Sequence, residues 1–330
     1  MLAVLWLASC VSPQPLPEVN EPAAAPKEVA LEPAPGTPPP EPTAQPSPEA
    51  KPPAPPSADP LLKYTGVFAS PESVLYDAAA DRYLVSNING KPTDVDGNGY
   101  ILELSPDGRV TNPKLIAGGV NKANLDAPKG LAIVGAELWV ADITFVRRFD
   151  LKSGAQRGEI KLPGASFAND VVAAPNGGAY VSDSGLSMGA LGFEPTGTDQ
   201  VFFIDKAGKV KVIAKSKELG GPNGLAIGMA GALLVNTFGK DEVYRLTEAG
   251  KREEITKIPG EQLDGLLLVG DTLLVSSWKA ETVYRGKFGG SFEPMISKVK
   301  GPGDLGYDSK RNRLLVPRFL EDRVEVYDLK

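Results

Sequence analysis

Six polar residues recur at one place in a repeating pattern: Glu72, Lys129, Asn169, Asn223, Asp264 and, one position later in its unit, Asp304. The first five each stand two places before an apolar anchor, the six anchors being Val74, Leu131, Val171, Leu225, Leu266 and Leu305. Glu72 and Asp264 offer carboxylates, while Asn169 and Asn223 offer neutral amide oxygens. That donor mix suits a hard cation such as Ca2+, with water filling the remaining positions. A bound divalent ion polarises a carbonyl and lowers the pKa of its water, so hydrolysis can proceed without histidine. The point matters because the chain has no histidine. A Ser-His-Asp triad, a Cys-His pair and any His-ligated zinc or iron are therefore excluded.

Asn-Gly and Asp-Gly also form turns, and a turn is the competing explanation of the motif. The chain contains its own control. Asn176-Gly177 lies between the first and second apolar runs of its unit, where a hairpin turn belongs. The motif dipeptides stand instead at the start of the first run, and one of them reads Glu-Ser.

The elements that position these residues follow from the spacing. Successive anchors are separated by 57, 40, 54, 41 and 39 residues, a unit near forty with two long intervals. About ten residues after each anchor comes a second run, YLVSN from Tyr83, LWVAD from Leu138, AYVSD from Ala179, LLVNT from Leu233, LLVSS from Leu273 and LLVPR from Leu314. A third run then starts at Tyr100, Val146, Val201, Val243, Val283 and Val324. The runs are short, β-branched and alternating, as half-buried strands are. A Gly-containing turn and a fourth strand complete five of the units. The pattern predicts an all-β, six-bladed β-propeller with four antiparallel strands per blade. The last unit lacks a fourth strand, and KYTGVFA from Lys63 supplies one, so an N-terminal strand is expected to close the last blade. The two long intervals are insertions between second and third strands, at 88–99 and 184–199, expected on one rim.

Outside the repeats, residues 11–60 hold 18 of the 31 prolines and a net charge of −5 out of −6. That stretch reads as a Pro-rich disordered linker, and residues 61–330 as the nearly neutral propeller. Neither a nucleic-acid footprint nor a charged membrane face is expected. Residues 1–10, MLAVLWLASC, are too few to span a bilayer. The ending Leu7-Ala8-Ser9-Cys10 resembles a bacterial lipobox, although no Lys or Arg precedes the apolar run. Lipidation of Cys10, the only cysteine, would then tether the domain in the bacterial cell envelope, on the periplasmic side or at the outer membrane.

The ordered set of a Glu, Asn-Asp, Pro-Asn-Gly and Asp-Gly in the first, third, fourth and fifth units resembles the senescence marker protein, gluconolactonase and luciferin-regenerating enzyme family over residues 64–330. The resemblance implies a calcium or similar divalent ion at the channel mouth and a lactone or ester substrate. By matching motifs, Glu72, Asn223 and Asp264 would ligate the metal, Asn169 would complete the site or hold substrate, and Asp264 would accept the proton. Lys129 has no counterpart there; a cation at that place would bind a substrate carboxylate. The fifth motif reads Leu-Asp-Gly where the family more often has Pro-Asp-Gly. A non-catalytic propeller that binds a sugar, peptide or partner is the alternative reading.

Three smaller features complete the reading. Asp94-Val-Asp96-Gly97-Asn98 matches the start of an EF-hand loop, but Ser105 replaces the closing Glu and no helices flank it, so a hairpin insertion is favoured over a second calcium site. Lys279 and Arg318 read as solvated strand ends. Trp139 and Phe203 read as core.

Overall fold

The computed structural model describes residues 59–190 and 192–329. Cys10 and nearly all of the linker lie outside the described residues. Six four-stranded antiparallel sheets succeed one another along the chain, joined by one extra two-stranded hairpin. The expected six-bladed propeller is therefore present, with the first five blades running from inner to outer strand in chain order.

The sixth blade closes as the sequence predicts. Leu62–Thr65 pairs antiparallel with Arg323–Asp328, Leu62 opposite Val326 and Tyr64 opposite Val324. The outermost strand of the last blade thus comes from the beginning of the domain, and no open edge is left where the ring meets itself.

Blades are buried on both faces, which is why the strand runs are apolar on alternate positions in both directions. In the second strand of blade 1, Leu84 packs towards blade 2 while Tyr83 and Val85 pack towards blade 6. One apolar cluster fills each of the six interfaces between neighbouring blades. All six anchors are buried, from Val74 at 2% to Leu131 and Leu305 at 5% exposure. Trp139 belongs to the cluster between blades 2 and 3, as a core residue should.

The closing segment takes part in this core. Tyr64, 2% exposed, meets Tyr83 edge-on at 6.4 Å and donates its hydroxyl to the Ser105 carbonyl at 2.8 Å. Removing residues 61–68 takes this tyrosine out of the cluster and bares the edge of Arg323–Asp328. The expected outcome is severe destabilisation, and Tyr64→Ala alone should cost about 3–5 kcal/mol in urea denaturation. A truncated protein melting where the full chain melts would refute closure through this strand.

Candidate functional site

In five blades the inner strand carries a register shift where the motif sits, between Pro71 and Val74, Pro128 and Leu131, Ala168 and Val171, Pro222 and Leu225, and Leu263 and Leu266. The motif is a β-bulge, not a turn. A bulge leaves a residue out of the ladder and re-aims its side chain, and here it turns the first motif residue to the channel. Glu72, Lys129, Asn169, Asn223 and Asp264 line one small hollow at the channel mouth. The sixth polar residue of the set, Asp304, is absent from that lining. It lies one residue further along its strand, where its carboxylate accepts from Ser73 Oγ at 2.6 Å.

The bulges expose backbone groups that the ladder no longer pairs. A small polar residue of the second strand meets that need and joins neighbouring blades. Ser182 Oγ accepts from the Asp170 N–H at 2.9 Å and donates to the Asn223 carbonyl of the next blade at 2.6 Å. Asn236 accepts from the Gly224 N–H at 2.8 Å and donates to the Asp264 carbonyl at 2.7 Å. Ser276 accepts from the Gly265 N–H at 2.7 Å and donates to the Gly303 carbonyl at 3.0 Å. Asp170 adds a fourth link, accepting from the Leu225 N–H at 2.7 Å. These residues were missed in the sequence, although the runs YLVSN, AYVSD, LLVNT and LLVSS place Ser, Ser, Asn and Ser at one position.

This packing also corrects the role of the motif glycines. Gly224 does not adopt a left-handed backbone; a Cβ there would lie 2.2 Å from the Asp264 carbonyl oxygen and 2.8 Å from the Leu266 nitrogen of the next blade. Glycine is required because two backbones approach closely. Gly177, in the control turn, does have φ of 85°.

The hollow is rich in negative charge. Glu72, Asp170, Asp264 and Asp304 are all buried or nearly so, and Lys129 is the cation set among them. Burial raises all four carboxyls above their ordinary range, and the Asp304 charge raises Glu72, Asp170 and Asp264 further. Burial likewise lowers Lys129. Its ammonium donates to the carbonyls of Pro92 and Ala127 at 2.9 and 3.0 Å and lies 4.4 Å from the centre of the Phe167 ring. Lys129 therefore serves largely to hold the first insertion against the second blade.

Among the described residues four buried carboxylate oxygens lack a hydrogen-bond partner. Glu321 Oε2 and Glu325 Oε1 are ion-paired with Arg318 and Arg323, whereas Glu72 Oε2 and Asp264 Oδ1, at the hollow, have no cation in salt-bridge range. Such atoms are rare in native proteins and ask for a missing partner. Asp264 Oδ2 accepts from Trp278 Nε1 at 2.6 Å, which fixes the carboxyl with Oδ1 unused. Asn169 donates to Ser184 Oγ at 3.0 Å, leaving its Oδ1 unused, and the Asn223 side chain makes no hydrogen bond among the described residues. The four residues fit a hard cation: two orphaned carboxyl oxygens, two uncommitted amides and a cluster of acids with Lys129 as the cation set among them. Among the described residues no three His, Cys, Asp or Glu side chains gather as a metal cluster, so a cation here would depend on the amides and on water.

The other sequence features resolve differently. Asn98 donates its amide to Asp96 Oδ2 at 2.6 Å, and the Gly97 N–H donates to Asp126 Oδ1 at 3.0 Å, so the EF-like loop closes on itself and on the start of blade 2. It runs directly into the strand Tyr100–Leu104. Lys279 is exposed and paired with Glu261, as a strand end should be. Arg318 is not solvated: it is buried and paired with Glu321 at 2.5 Å and Glu325 at 2.7 Å. Phe203 is half-buried against Tyr180.

Solved structures agree with this fold. The chain is similar to a putative gluconolactonase at 18% identity and a TM-score of 0.60, covering 82% of this chain and 91% of that one. It is similar to a gluconolactonase of Xanthomonas campestris at 18% identity and a TM-score of 0.59, covering 83% and 97%. The chain folds like a gluconolactonase. A virginiamycin B lyase from Staphylococcus aureus is also similar, at 16% identity and a TM-score of 0.55, covering 80% and 97%. No family model and no curated protein matches the chain by sequence. Gluconolactonases among the structural neighbours accord with the resemblance carried by the ordered motifs, and at these identities the likeness speaks for the fold.

Substitution at Gly224 separates a steric role from a turn role. Asparagine is a good turn residue, so a turn would tolerate Gly224→Asn. Because the constraint is clearance to the next blade, both Gly224→Asn and Gly224→Ala should lose about 1–3 kcal/mol in chemical denaturation. An asparagine variant as stable as the parent would restore the turn interpretation.

Proposed function

We propose that this chain is a divalent-cation-dependent hydrolase of lactones or esters, with Ca2+ as the expected ion. The observation that carries the reading is the pair of buried, unpartnered oxygens, Glu72 Oε2 and Asp264 Oδ1, at the mouth of the channel. Glu72, Asn223 and Asp264 would hold the ion, and Asn169 would complete the site or orient the substrate. When bound, a divalent ion supplies carbonyl polarisation and a more acidic water.

The chain's own residues supply the rest. The Trp278 indole fixes the Asp264 carboxyl through Oδ2; with Oδ1 turned to the ion, Oδ2 would be the oxygen that takes a proton from the attacking water. The water oxygen bonds to the carbonyl carbon, the ester C–O bond breaks, and the departing alkoxide recovers a proton. Lys129, tied to two carbonyls, is better suited to shaping the wall than to gripping a substrate carboxylate.

The non-catalytic binding module stays as a second reading because the hollow measures only about 30 Å3, room for one water or an ion. Turnover separates the two. Calorimetric titration should show Ca2+ binding, and lactone or ester hydrolysis should vanish with a chelator. Glu72→Gln and Asp264→Asn should each weaken the ion by at least about 10–100-fold, the loss that outer partners alone cause, with the melting temperature in chelator unchanged or higher. A wild-type protein that binds no divalent cation would remove the enzymatic reading; bound cation without turnover on any lactone or ester would favour the module.

The proposed setting is the bacterial cell envelope, with the propeller tethered through lipidated Cys10. Palmitate labelling of the full chain in a bacterial host should be lost in Cys10→Ser, and an unlabelled parent would sink the tether.

A further inference from the structure

The residue that follows the second strand is apolar in five of six blades: Ile88, Ile143, Phe238, Trp278 and Phe319. A strand end at a rim is a place where polar residues are expected. In the third blade that position is Ser184, and the insertion hairpin of Leu186–Gly189 and Gly192–Pro195 brings Leu186 and Phe193 to the mouth instead. Ile143 holds φ of 52°, a left-handed backbone that a β-branched residue adopts only with strain. An apolar side chain is kept there against its local preference, packed with Ile88 and Phe319.

These side chains form a continuous collar over the acidic floor. Phe167 meets Phe193 at 5.6 Å, Phe193 meets Phe238 at 5.6 Å, Phe238 meets Trp278 at 6.3 Å and Trp278 meets Phe319 at 5.1 Å. Phe193, Phe238, Trp278 and Phe319 are half-buried, so part of each ring faces outward. The polar atom of the collar, Trp278 Nε1, already donates to Asp264. The rings of the collar offer no free donor or acceptor, so a hydroxyl desolvated against them would go uncompensated.

We propose that the substrate class is apolar: a lactone or ester whose ring or acyl substituent is hydrocarbon, bound in the aromatic collar with its carbonyl at the Glu72–Asp264 floor. Polyhydroxylated sugar lactones would be disfavoured by the same wall. The inference rests on the hydrolase reading above for turnover, but not for binding. Because the hollow holds about 30 Å3, entering hydrocarbon must take the place of Phe193 between Phe167 and Phe238.

The test compares γ-lactones of increasing alkyl length with glucono-δ-lactone, using the full propeller with Ca2+. The kcat/KM should rise by about fourfold per added methylene, the equivalent of about 0.8 kcal/mol per buried CH2, until the collar is filled. Phe238→Ser and Phe319→Ser, at rings that stay in the wall, should flatten that dependence without changing Ca2+ affinity. Alkyl lactams, which keep the ring and resist hydrolysis, should bind with a change in tryptophan fluorescence that gluconolactam does not produce. Faster turnover of glucono-δ-lactone, or tighter binding of its lactam, would overturn the apolar class while leaving the hydrolase. No turnover with tight alkyl lactam binding would remove the hydrolase and support the collar. Failure of both lactams to bind would overturn the collar as a substrate wall.

Discussion

The site depends on one backbone irregularity repeated around a ring. Each bulge takes a residue out of its ladder, which turns a polar side chain into the channel and strands the neighbouring N–H and carbonyl groups in a buried place. Leaving such groups unpaired costs as much as a lost hydrogen bond each. Ser182, Asn236 and Ser276 meet the need by bridging one blade to the next. Position of the candidate ligands and cohesion of the ring are therefore one arrangement. The backbone that carries a candidate ligand cannot drift without straining a bond that also holds two blades together.

Two physical demands at the mouth pull in opposite directions. Four buried carboxyls accumulate negative charge that Lys129 alone offsets, while a collar of aromatic rings keeps water away from them. In low dielectric a charge is expensive unless partnered. The same dielectric strengthens whatever cation or developing charge comes to rest there. The collar accordingly makes the acidic floor costly when empty and effective when filled.

Much of this was legible in the sequence because repetition averages over local ambiguity. One YLVSN run is only a strand candidate; six such runs at a common spacing fix the blade, its strand count and the closing role of the segment around Tyr64. The ring of polar motif residues was legible for the same reason, and five of them line one hollow. The purpose of Gly224 was not, since close approach to Asp264 depends on the neighbouring blade and leaves no local trace. Asn-Gly looks alike in a hairpin turn and at a bulge. Arg318 was misread because its partners, Glu321 and Glu325, lie across a turn that strand periodicity does not describe.

The collar shows what a repeat can conceal. The first motif residue draws attention because acids and amides are chemically active, whereas Ile88, Phe238, Trp278 and Phe319 look like ordinary strand ends when taken singly. Only the fold brings the position after every second strand to the same rim as the start of every inner strand. With both rings facing one channel, the proposed reading has the inner acids attract a cation and the outer rings decide what else can approach it. Specificity in such a site comes from the wall more than the floor, because a carbonyl presents the same polar atoms whatever it is attached to. A propeller of this kind can keep its acidic floor and change its substrate by altering the residue after the second strand.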